Sequence, residues 1–152
     1  MRWALPLALV AVVGCGASAV EVARGTLATS AVAATQADQV FGTAYAAASE
    51  AARASSTTQA EKDQKMLAWD TAADEFEAAH KAATASMLAA ETALDGFERT
   101  GEAGYYDEAI ACAAETLRGI AKVLEERGLH IPAALAKVLT LSEGLTCAES
   151  VR

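Results

Sequence analysis

The sequence predicts an all-α protein: a long antiparallel helical hairpin with a shorter helical hairpin packed on one half of it, like a four-helix bundle. Three observations carry this. Apolar residues recur at alternating spacings of three and four over long stretches, the period of a helix with one face against a partner. The two prolines are Pro6 and Pro132, so no proline interrupts the helical stretches between them. Alanine is abundant and aromatics make up only 5% of residues, a mix that suits closely packed helices better than sheet.

The first helix is expected to begin at Ser18, with Glu21 completing a capping box, and to run to about Arg53. Leu27, Ala31, Ala34, Asp38, Phe41, Tyr45, Ala48 and Ala52 form its expected seam. Gly25 weakens the early turns by about 1 kcal/mol. A break at Ser55-Ser56-Thr57-Thr58 follows, and Thr58 with Glu61 forms a second capping box that restarts the helix. The second helix carries the most regular pattern. Met66, Trp69, Ala73, Phe76, His80, Ala83, Met87, Ala90, Leu94 and Phe97 alternate three and four, and no Gly or Pro interrupts residues 59–95. At 1.5 Å per residue it would be on the order of 55–60 Å long.

A glycine-bearing turn is expected from Asp95-Gly96 to Gly104. The third helix should span about Tyr105 to Arg127, with Asp107 and Glu108 favourably placed in its first turn. Its apolar face reads Tyr106, Ile110, Ala113, Leu117, Ile120 and Leu124, and Gly128 is a natural C-terminal cap. Pro132 suits the first position of a fourth helix, in which Leu135, Val138, Leu139 and Ser142 face inward and which Gly144 ends. The midpoint between Cys112 and Cys147 falls in the turn between the third and fourth helices, so antiparallel packing brings the two cysteines level and a disulfide is expected. The chain-entropy model rates such a loop at roughly 4 kcal/mol at most.

Composition narrows the function classes. The formal net charge is −8. That argues against nucleic acid, whose binding needs clustered Lys and Arg, and against a polybasic membrane patch.

The start of the chain has Arg2, an apolar run over residues 4–13, then small residues. This is the form of an export signal, too short to span a bilayer, which takes about 20 residues. The stretch Val12-Val13-Gly14-Cys15 resembles the lipobox of bacterial lipoproteins. The resemblance implies that residues 1–14 are a signal peptide, that Cys15 carries lipid as the first mature residue, and that residues 15–152 form one lipid-anchored helical domain. Gly16 follows Cys15 where an aspartate often retains such proteins at the inner membrane, which leans toward the outer membrane facing the periplasm. The shorter hairpin then packs on the membrane-proximal half, and the bend at residues 53–60 becomes a two-helix tip pointing away from the bilayer. The oxidising compartment also suits the Cys112–Cys147 bond.

Chemistry-bearing constellations are few. Glu77 and His80 have the Glu-x-x-His spacing of di-metal bundles, but no second such pair exists, so they are weak metal candidates. The simpler reading is a buried Asp38–His80 pair that sets helix register. Trp69 and Phe76 are expected on the two-helix part, packed against Tyr45 and Phe41; the rival reading makes them an exposed apolar patch. Asp70, Asp74, Glu75 and Glu77 read as a solvated face. No catalytic set, phosphate loop or cofactor motif is found, and no enzyme is expected.

The function expected is that of an envelope lipoprotein with a structural or protein-interaction role. Arg53, Lys62, Lys65 and Trp69 are the candidate partner-binding residues of the tip. Two rivals remain: a small-ligand or metal-binding bundle around Glu77 and His80, and a phage lysis lipoprotein of the outer-spanin type. The latter also carries a lipobox but is typically short and proline-rich, unlike this chain.

Overall fold

A computed structural model describes residues 19–100, 106–143 and 147. Four α-helices follow one another: α1 (Ala19–Ser55), α2 (Gln59–Thr100), α3 (Tyr106–Glu126) and α4 (Ala133–Leu141). The expected all-α bundle is the fold, with two long helices and two short ones. The lipobox-like leader, Cys15, the Ser18 cap, the Gly101–Gly104 turn and Gly144 lie outside the described residues.

α1 and α2 form the long antiparallel hairpin. α3 packs most extensively on α2, and α4 more on α1 than on α3. α3 is the central helix. Ala109, Ile110, Ala111, Cys112, Ala113 and Ala114 are all buried, and Leu117, Ile120 and Leu124 are fully so. Small residues make the close approach possible. A methyl group added at Gly119 would sit 3.6 Å from the Ala79 Cβ of α2, ordinary van der Waals contact. Two clusters share the interior. One joins Ala33 and Phe41 of α1, Phe76 of α2, Leu117 of α3 and Leu135 of α4. The other, nearer the α1 N-terminus, joins Leu27, Leu94 and Ile110.

Three local signals operate as expected. At the start of α2 the Glu61 N–H donates to Thr58 Oγ1 (3.2 Å), and the Thr58 N–H donates back to Glu61 Oε2 (3.4 Å), a reciprocal capping box. At the end of α3, Gly128 has φ +66°, its N–H donates to the Glu125 carbonyl, and the Leu129 N–H donates to the Leu124 carbonyl, each at 2.9 Å. This is a complete Schellman cap. Cys112 and Cys147 are disulfide-bonded, with Cα atoms 4.4 Å apart.

Four expectations need correction. α2 does not end at Asp95-Gly96 but continues to Thr100. Leu94 is fully buried just before the glycine, and its packing offsets the propensity cost of one glycine. The α1 seam keeps Leu27, Ala34, Phe41 and Ala52 but takes Ser30 and Ala37 in place of Ala31 and Asp38. Its buried residues are Ala23, Leu27, Ser30, Ala33, Ala34, Ala37, Phe41 and Ala52, while Ala31 and Asp38 are exposed. Ser30 is tolerated inside because its Oγ donates to the Thr26 carbonyl (2.9 Å), leaving no unsatisfied hydroxyl. The expected Asp38–His80 pair therefore does not form, since Asp38 faces solvent. Lastly, Pro132 is the N-cap of α4, with φ −56° and ψ 144°, and Ala133 is the first helical residue.

Candidate functional site

The bend joining α1 to α2 is built from short-range hydrogen bonds. Glu61 Oε2 accepts from the Thr57 N–H (2.7 Å) and the Thr57 hydroxyl (2.9 Å), in addition to Thr58. These donors, the Thr57 N–H foremost, hold the Glu61 carboxyl below its usual range. Lys65 reaches back across the bend and donates to the Ser55 carbonyl (2.7 Å) and hydroxyl (2.9 Å), closing the last turn of α1. The Ser55 hydroxyl in turn donates to the Ala51 carbonyl (2.8 Å). Ala52 and Met66 are the buried apolar residues of this end.

Below the bend lies an aromatic collar. Phe41 and Phe76 stack with centroids 4.5 Å apart and planes 8° from parallel. Trp69 lies 6.1 Å from Phe41 and meets Tyr45 edge-on at 6.4 Å. The Tyr45 hydroxyl donates to Asp70 Oδ1 (2.6 Å), and that bond is the main cause of a raised tyrosine pKa. The Arg127 guanidinium, from the C-terminal end of α3, covers the Trp69 ring at 5.8 Å, a cation–π contact. The collar marks where the four-helix body narrows to two helices.

This geometry sorts the residues singled out from sequence. Trp69 is half-buried and Phe76 buried in the aromatic cluster with Phe41 and Tyr45, so these two rings are packed and do not form an exposed apolar patch. Phe76 belongs to the body, not to the two-helix part, because it shares a cluster with Leu117 and Ile120 of α3. Lys65 is engaged in the bend. Arg53 is exposed and Lys62 partly exposed at the same end of the hairpin. Two residues of the collar went unread. Arg127 was legible only as the end of α3, and Asp70 only as one of a run of surface acids. Neither carries a local signal for its aromatic partner.

Glu77 and His80 diverge. Glu77 is exposed and pairs with Lys81 one turn on, which holds its carboxyl below the usual range. His80 is half-buried and stacks on Phe76 at 6.1 Å. Among the described residues no group of three or more His, Cys, Asp or Glu is placed to hold a metal ion.

At the opposite end of the hairpin, Arg24 of α1 clasps α2. Its Nη2 donates to Asp95 Oδ1 and Glu98 Oε2, each at 2.7 Å. These groups are well exposed, so the clasp aligns the helices more than it stabilises them. The open depression beside it, about 380 Å³, is lined by Thr92, Asp95, Glu98 and Arg99 and lacks the apolar walls of a ligand pocket. No helix among the described residues is long and apolar enough to cross a membrane. No protein-family profile, characterised protein or solved structure gives a significant match to the chain.

Proposed function

We propose that the chain is a lipid-anchored helical protein of the cell envelope, held through Cys15 and presenting the distal end of its α1–α2 hairpin to a protein partner. The observation that supports this reading is the locked bend. Four residues, Ser55, Thr57, Thr58 and Glu61, together with Lys65, fix the end of a long hairpin at the far end from the α1 N-terminus. A fixed end costs little ordering entropy on binding, which is what a recognition surface needs. Arg53, exposed, and Lys62, partly exposed, are the candidate contact side chains there. The leader supports export and anchoring through its lipobox-like stretch, and the absence of an aspartate after Cys15 supports the outer membrane. The role is structural or interactive rather than enzymatic.

The test is photo-crosslinking in cells from positions 53 and 62. A discrete protein adduct is expected, lost when Cys15→Ala moves the chain from the membrane to the soluble fraction. Crosslinks confined to the chain itself would sink the interaction role.

A further inference from the structure

α4 has an unusual set of attachments. It is nine residues long, shorter than the roughly 12–15 residues an isolated helix needs. Leu135 and Val138 enter the core cluster beside Ala33 and Ala37 of α1 and Leu117 and Ile120 of α3. Its contact with α1 exceeds that with α3. Yet among the described residues beyond its C-terminal end, Ser142 and Cys147 are tied to α3, at one stripe of that helix. Arg118 Nη2 donates to the Ser142 carbonyl (2.6 Å). The Cys147 N–H donates to Glu115 Oε2 (3.1 Å). Cys147 is bonded to Cys112. Cys112, Glu115 and Arg118 are spaced three apart, and so share one face of α3. At its other end α4 is held by the Schellman cap at Gly128 and by Pro132.

We infer that α4 is a lid over the apolar groove between α1 and α3, and that the Cys112–Cys147 disulfide is its redox latch. A dithiol opens it. A thiolate of the dithiol attacks Sγ of Cys147, which is partly exposed whereas Cys112 is 5% exposed, and the bond to Cys112 breaks. Cys112 leaves as a thiolate and takes a proton from solvent. The second thiol of the reagent then attacks its own sulfur in the mixed disulfide and releases Cys147. Two electrons pass to the protein, and the reagent becomes a cyclic disulfide. With the latch open, α4 keeps the packing of Leu135 and Val138 and the bond from Arg118 to the Ser142 carbonyl, but loses its covalent tie to α3, and the helix is too short to persist by itself when that packing opens. An external disulfide oxidant, by the reverse exchange, takes up the two electrons as its own two thiols and closes the latch again.

The experiment is hydrogen–deuterium exchange on the full chain, before and after dithiothreitol. In the reduced protein exchange over residues 133–142 should accelerate at least about tenfold more than exchange over the buried stretches of α1, α2 and α3. Reoxidation should restore the first rate, and the far-UV helical signal should change little throughout. Unchanged exchange over residues 133–142 would show that packing alone holds α4. Acceleration of the whole chain together, or loss of the helical signal on reduction, would show that the bond is a global staple and not a latch. Either result overturns the inference.

Discussion

Single side chains decide whether the long hairpin turns cleanly. Thr58 caps α2, and Thr58→Ala should cost about 1 kcal/mol, read as a lower urea midpoint with unchanged slope. Glu61 adds a pH dependence of known sign. Its folded pKa is depressed by the Thr57 and Thr58 donors, so its contribution is present above the unfolded carboxylate value, about 4.3, and is lost as pH falls through the folded value. Amides of the bend should therefore lose exchange protection on acidification from pH 5 toward 3, and Glu61→Gln should remove that dependence. Tyr45 runs the other way. Its pKa is raised by Asp70, so the neutral phenol is favoured in the fold, and its contribution holds below the unfolded value, about 10, and is lost as pH rises through the folded one. Ultraviolet titration should show a tyrosine step above the ordinary phenol value, absent in Tyr45→Phe and shifted down in Asp70→Asn.

The helices as units are held by a few large residues among many alanines. Phe76 is 4% exposed, stacked on Phe41 and joined to α3, so Phe76→Ala should cost roughly 3–5 kcal/mol by chemical denaturation. Gly128→Ala, forced into φ +66°, should cost about 1–2 kcal/mol. The features legible from sequence were those whose cause is local. The Thr58–Glu61 box, the Gly128 cap and the Leu135/Val138 face all rest on residues within a turn of each other. The disulfide was legible through chain symmetry about one turn. The α1 seam was legible only in part, because its apolar positions are nearly all alanine. Ala31 and Ala34 look alike, and a seam through Ser30 and Ala37 is as regular as one through Ala31 and Asp38. The choice belongs to α3 and α4, which bury Ala33 and Ala37 from the far side. Gly96 misled for a related reason: one glycine costs about 1 kcal/mol, and the burial of Leu94 beside it outweighs that. Arg127 over Trp69 is a meeting of helices distant in sequence, which no local pattern encodes.

At the scale of the whole molecule, length sets the shape. α2 has 42 residues, so at 1.5 Å per residue it is about 63 Å long. α3 has 21 residues and covers only part of it. The Arg127–Trp69 contact fixes where that cover stops, and among the described residues the hairpin beyond has only α1 and α2 to stiffen it. Such an end survives because its own bonds hold it, notably Lys65 to Ser55 and Glu61 to Thr57. A compact domain of this many residues would have a radius of gyration of about 14 Å. A rod as long as α2 has a value of about 18 Å from its length alone, before its thickness is added. Small-angle X-ray scattering from a soluble form beginning at Ala19 should therefore give about 18–20 Å. The value should be insensitive to dithiothreitol, because the two long helices that set it carry neither cysteine. A value near 14 Å would mean that the hairpin folds back on the body, which would remove the projecting end on which the proposed recognition role depends.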